Sequence, residues 1–209
     1  MTGRIIHSDA CVADGVAWLS ARVPELAHAA TVAAPIPLRR RPDGFAALLS
    51  AIVGQQVSVA SAQAIWQRLE LAELTHEAQV RAVSEEALCA AGLSRPKARY
   101  AKALAAAQLD YAALHTMSDA EVISCLTKVT GIGRWTADIY AMFALGRADV
   151  FAAGDLALKE SARLIFALPD RPSEQALRDM AVQWSPWQAV AARIMWAYYK
   201  HAKQREGLA

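Results

Sequence analysis

The stretch LTKVTGIGRWTA at residues 126–137 narrows the local structures open to this chain more than any other. Apolar residues recur at helical spacing on both sides of Gly131-Ile132-Gly133, and two glycines in three residues end one helix and let the next begin. The pattern predicts a helix, a tight turn and a second helix over 134–146. Gly131 and Gly133 permit backbone geometry and close approach that side chains would block. They leave amide N–H groups at the start of the second helix, where the dipole is positive and phosphate is attracted. Taken alone, such a turn is more often only a tight turn with no ligand.

One helix's length further on, VFAAGDLALK at 150–159 places Asp155 where that helix hands over to another. Gly-Asp before Leu-Ala-Leu-Lys is an ordinary helix start, with the aspartate as N-cap. It is also a lone positioned carboxylate. A phosphate grip together with such a carboxylate points to chemistry on nucleic acid.

Together the two segments resemble the helix-hairpin-helix DNA glycosylase superfamily, whose motif runs from a hairpin through Gly/Pro-rich sequence to an aspartate. Within it the likeness is greatest to the alkylbase enzymes, the 3-methyladenine DNA glycosylase II family. It extends upstream to LLSAIVGQQVSVASAQAIWQRL and AAGLSRPKARYAKALA and downstream to WSPWQAVAARIMWAYY, spanning 45–199. One departure is Thr130, where the family usually has proline before the hairpin glycine.

The resemblance implies an all-α fold of two helical lobes around a DNA-binding cleft. The central lobe would cover 43–144, with the helix-hairpin-helix at about 118–146. The second lobe would be discontinuous, combining 1–42 with 145–209. The additional amino-terminal mixed domain of larger bacterial relatives has no counterpart in this sequence. Composition agrees with a nearly all-helical enzyme: the chain has 209 residues, is 55% hydrophobic and is rich in alanine, with few strand-like alternating runs.

A net charge of only +2 makes a protein that coats nucleic acid through its overall field a poor fit. Local basic groups and backbone amides must then grip phosphate. Arg95, Lys97, Arg99 and Lys102 could track a DNA backbone or simply form a solvated helix face. Cys11, Cys89 and Cys125 are odd in number and lack ligand spacing, which implies a reducing compartment and no disulfide framework. With no cysteine after Cys125, the four-cysteine iron–sulfur cluster of some superfamily members is excluded, and the histidines form no metal pattern. The lack of a signal peptide or membrane span leads to the expectation of a cytoplasmic protein, nucleoid-associated in a bacterium, and a monomer.

Punctuation along the chain predicts about ten helices. The first covers about 9–22 and the second follows Pro24; after a linker containing Arg39-Arg40-Arg41-Pro42, Asp43 is expected to cap a helix over 45–53. Further helices are predicted near 57–71, 84–91 and 96–107. Ser118 with Glu121 reads as a capping box leading into the hairpin, and Ser185-Pro186-Trp187-Gln188 as a second one opening a long final helix.

By resemblance, Asp155 is the catalytic aspartate. Breaking a base–sugar bond builds positive charge on the deoxyribose, and a facing carboxylate stabilises it and can orient the attacking water. The base must first be flipped out of the stack. Trp135 and Trp196 match aromatic positions of the base pocket; without the likeness, both would be read as core. An indole face attracts a base made cationic by alkylation by roughly 0.5–2 kcal/mol. Trp66, Trp184 and Trp187 are assigned to core or lobe interface. Superfamily members that also cut the strand keep a Schiff-base lysine at the position held here by Trp135, which implies a monofunctional enzyme with no lyase activity. Lys128 and Lys159 lie nearby in sequence but outside that place.

The DNA-binding set implied by the likeness is Gln56, Gly131, Gly133, Arg134 and Thr136, with double-stranded DNA containing alkylated bases as partner. Gln56 corresponds to the residue that fills the gap left by the flipped base, a leucine in the bacterial prototype; its alternative is a loop side chain satisfying nearby backbone. A pocket tyrosine of that prototype corresponds to Ile139, with Tyr140 one position away on another helical face. The hairpin of some members holds a monovalent cation through backbone carbonyls, here those of Thr127, Val129 and Ile132; no other cofactor is implied. The alternatives are a monofunctional glycosylase for uracil, mismatched thymine or hypoxanthine, and a non-catalytic helix-hairpin-helix module that only binds DNA.

Overall fold

Alanine costs no side-chain entropy in a helix and lets neighbouring helices approach closely, and the chain uses it for both purposes. The computed structural model describes residues 3–206. Among these there are thirteen α-helices: α1 (Asp9–Ser20), α2 (Pro24–Val32), α3 (Phe45–Gly54), α4 (Val59–Leu71), α5 (Glu77–Ala82), α6 (Glu85–Ala90), α7 (Arg95–Ala107), α8 (Tyr111–Leu114), α9 (Asp119–Thr127), α10 (Arg134–Phe143), α11 (Leu156–Ile165), α12 (Glu174–Ala181) and α13 (Gln188–Glu206). A 3-10 turn, Val182–Trp184, links α12 towards α13. The described β pairing is one isolated antiparallel bridge between Ile5 and Arg147. No described helix is long and apolar enough to cross a membrane.

The chain packs as two compact units, residues 41–140 and the flanking segments 3–40 with 141–206, so the boundary falls inside α10. In the first unit α7 packs on α3, α5 and α6. Its fully buried Ala98, Ala101, Leu104 and Ala105 lie on one helical face, while Leu48, Leu49 and Ile52 of α3 are buried too. In the second unit α13 packs against α1, α2 and α11 through buried Ala189, Ala191, Ala192, Ile194 and Met195. The two chain segments of this unit are joined at the bridge, where Ile6 N–H donates to Gly146 O at 2.7 Å and Ala148 N–H to Arg4 O at 3.0 Å.

The capping box before α9 forms in full: the Ser118 amide donates to Glu121 Oε2 at 2.8 Å, and the Glu121 amide to Ser118 Oγ at 3.3 Å. Two other expected caps are corrected. Gly44, not Asp43, precedes α3, at φ +92, and Asp43 instead meets His115 Nε2 at 2.5 Å. The Ser185 hydroxyl donates to Asp149 Oδ2 at 2.6 Å, and α13 begins only at Gln188. The helix expected over 134–146 ends at Phe143. Helices α5, α8 and α12, at 6, 4 and 8 residues, lie outside the predicted set.

Candidate active site

The hairpin is built from two short turns. Val129 N–H donates to Leu126 O at 3.1 Å and Ile132 N–H to Val129 O at 3.0 Å, carrying the chain from α9 to α10. The two glycines do different work. Gly131 has φ +95, and a Cβ there would stand 2.3 Å from Cγ of Tyr100, so fold geometry alone demands glycine. Gly133 lacks a positive φ, and a Cβ there would meet nothing within 4 Å. It is the N-cap of α10, since Ala137 N–H donates to its carbonyl at 3.0 Å. The open space lies at a helix start, where amides face an approaching anion.

Gln56, expected in the gap of the flipped base, is exposed in the loop after α3 and has φ +56, a left-handed conformation uncommon outside glycine. Its neighbour Gln55, absent from the sequence-derived set, ties this loop to the hairpin: Nε2 donates to Gly131 O at 3.1 Å. The doubled glutamine after Gly54 was the available signal. Lys97, only 8% exposed, donates from Nζ to Val53 O at 2.7 Å and closes the carboxyl end of α3 just before the loop. Burial lowers its pKa. Lys102 similarly donates to the carbonyls of Arg81 (2.7 Å) and Val83 (2.6 Å) at the end of α5. Both lysines are therefore helix-end caps rather than a track for phosphate; Arg95 and Arg99 remain exposed.

On α10, Arg134 Nε pairs with Asp138 Oδ1 at 2.9 Å; the arginine side chain is half exposed and the carboxylate fully buried. Trp135 is 41% exposed, unlike a core tryptophan. Thr136 is 3% exposed, so its side chain is a packing group and only its amide belongs to the helix start. Tyr140, the neighbour of the expected pocket position Ile139, is 4% exposed and its hydroxyl accepts the Gly44 amide at 2.9 Å. Burial pushes its pKa up to about 12. It braces the start of α3.

In the second unit Asp155 is the N-cap of α11, with Oδ1 accepting Leu158 N–H at 3.1 Å. The same oxygen accepts the indole Nε1–H of Trp196 at 3.0 Å. Asp155 and Trp196 are thus brought into direct contact. Phe143 adjoins the indole at 5.6 Å between ring centroids, and the Arg39 guanidinium lies 5.9 Å from it. A carboxylate held beside an aromatic face can stabilise a positive charge that develops in front of it. Of the other tryptophans, Trp184 and Trp187 are buried, whereas Trp66 is half-buried on the surface, its Nε1 donating to Glu70 at 2.7 Å.

Two solved structures share much of this architecture, and a third protein is similar in sequence. The crystal structure of a DNA-3-methyladenine glycosidase from Bacillus halodurans superposes with a TM-score of 0.79 at 29% identity, covering 98% of this chain and 95% of that one. The Schizosaccharomyces pombe 3-methyladenine DNA glycosylase Mag1, solved in complex with abasic DNA, gives 0.75 at 25% identity over 88% of this chain and 95% of that one. The alkylbase DNA glycosidase-like protein mag2 of the same yeast is 26% identical over 162 residues, 73% of this chain and 76% of its own. Residues 49–186, which hold the Gln55 loop, the hairpin and Asp155, match the family described as HhH-GPD superfamily base excision DNA repair protein, and the chain belongs to that superfamily.

Proposed function

We propose that this protein is a monofunctional DNA glycosylase that hydrolyses the N-glycosidic bond of alkylated bases such as 3-methyladenine in double-stranded DNA, leaving an abasic site. The observation that carries the reading is the Asp155 carboxylate, anchored through Oδ1 by a helix-start amide and an indole. The names of these three proteins, an alkylbase DNA glycosidase-like protein and two 3-methyladenine glycosylases, support the substrate class. In the reaction the hairpin grips phosphate without reading sequence, Gln56 enters the gap left by the flipped base, and Trp135 and Trp196 stack on that base. Asp155 stabilises positive charge on the sugar as the bond lengthens, and water completes the hydrolysis. An alkylated purine carries its own positive charge and leaves readily, so little acid catalysis is required.

A monovalent cation belongs to the same reading. The carbonyls of Thr127, Val129 and Ile132 offer the uncharged oxygen ligands a hard cation takes, and Val129 O keeps a lone pair beyond its bond to Ile132. Bound there, the cation would steady the hairpin and add positive charge near phosphate.

The test is chromatography of free bases released from methylated duplex, run beside duplexes carrying uracil, a mismatched thymine or hypoxanthine. Release of 3-methyladenine is expected. Release confined to another duplex would shift the lesion class, and DNA binding without any release would leave only a binding module.

Strand cleavage should follow only when alkali or heat acts on the product, and borohydride should trap no enzyme–DNA adduct during turnover. A Schiff base needs an amine poised at the sugar carbon, and Trp135 has none. Lys159, one turn past Asp155 on α11, and Lys128, exposed after α9, are the amines to check. A trapped complex mapping to either, and absent with Asp155→Asn on preformed abasic duplex, would make the enzyme a lyase.

A further inference from the structure

Trp196 does more in this structure than offer a stacking face. It stands half-buried on α13, and its Nε1–H reaches the Asp155 oxygen that also accepts the Leu158 amide. The Leu158 amide comes from the start of α11 and the indole from a different helix, so the two donors direct Oδ1 from two sides; an indole can only donate, so its bond has one polarity. The indole is itself held from behind. Its neighbour Phe143 lies under the guanidinium of Arg193, 4.9 Å from the ring centroid. Arg193 is fully buried and donates to the carbonyls of Leu38 at 2.9 Å, Ala189 at 2.8 Å and Met142 at 3.3 Å. Burial, with Arg39 and Arg40 nearby, brings its pKa down to about 10, so it stays charged at neutral pH. A buried guanidinium with three main-chain partners has little room to move, and it joins the linker before Arg39, the end of α10 and the start of α13.

We propose that Trp196 is a positioning residue for base excision: its indole N–H sets the rotation of the Asp155 carboxylate, and Arg193, acting through Phe143, locks the indole in place. The inference rests on the reading of Asp155 as the carboxylate that serves the reaction. Preorganised charge is effective only where it is aimed, and a misplacement of about 1 Å can cost on the order of 100-fold in rate.

The test uses two replacements at position 196. Trp196→Phe removes the N–H and part of the ring; benzothienylalanine, introduced site-specifically, keeps the two-ring face and puts sulfur in place of N–H. Single-turnover excision from N-methylated duplex gives a maximum rate and a half-saturating enzyme concentration for each. Both variants should lose about 10- to 100-fold in maximum rate while half-saturation stays within about twofold. Base stacking alone predicts the reverse pattern: a wild-type rate for benzothienylalanine, or a rise in half-saturation at unchanged maximum rate. Either outcome overturns the proposal. Melting of each variant, read beside the kinetics, separates a rate loss from a folding loss. Wild-type excision by Asp155→Asn would locate the failure in the reading of Asp155 itself.

Discussion

Asp155→Asn should lower base release at saturating enzyme by about 100- to 1000-fold, which corresponds to roughly 3–4 kcal/mol of lost transition-state stabilisation. The same variant should bind lesion DNA as the parent does and melt at the same temperature. Asparagine is as good an N-cap as aspartate, so the bond to Leu158 N–H survives, and its side-chain carbonyl can still accept from Trp196. What disappears is the negative charge. Alanine would be the wrong choice: losing the cap costs about 0.5–2 kcal/mol of folding stability and would blur the reading. Single-turnover excision, a binding titration and a melting curve on one preparation decide the matter. Near wild-type excision by the asparagine variant would remove Asp155 from the reaction.

The two readings of Asp155 available from sequence, N-cap and functional carboxylate, turn out to be compatible. The cap fixes the backbone and one oxygen, and the charge remains available for chemistry. Its contact with Trp196, 41 residues away, was not legible, because only the packing of α11 on α13 brings them together. The same limit explains the corrected caps. Ser118 and Glu121 satisfy one another within a turn, so their pattern is a local code. Asp43 and Ser185 have the right chemistry for caps, but partners 72 and 36 residues away claim them. Lys97 and Lys102 belong to a basic run whose spacing suggests a solvated face; they instead reach carbonyls at the ends of α3 and α5, which no local pattern announces. Helix existence was legible where apolar residues at helical spacing met Pro, Gly or a capping serine. The short α5 and α8 offered little such spacing, whereas α12 carries a local signal that went unread, Ser173 after Pro172 as its N-cap.

The hairpin glycines offer the other large effect, and the structure changes how it must be sought. Substituting Gly131 cannot report on DNA binding alone. Its φ of +95 strains any L side chain, and the added Cβ would overlap the root of Tyr100, where the ring cannot swing away. Strain and overpacking of about 1–3 kcal/mol each predict a loss of about 2–6 kcal/mol for Gly131→Val, seen as a melting temperature lower by roughly 5–20 °C. Gly133 is the clean position, since a side chain there meets no protein atom within 4 Å and the backbone needs no unusual φ. Aspartate is a favoured N-cap, so Gly133→Asp should keep or slightly raise the melting temperature. Its carboxylate would sit at the start of α10, accept the amides on offer to phosphate and repel the DNA backbone. Like charges brought together at an interface cost several kcal/mol, so affinity should fall by about 100-fold, for damaged and undamaged duplex alike. Thermal melts and titrations of both duplexes separate the two glycines. Gly133→Asp binding both duplexes at parental affinity would take the hairpin out of the phosphate grip, and a loss confined to the lesion duplex would give it a place in the base pocket.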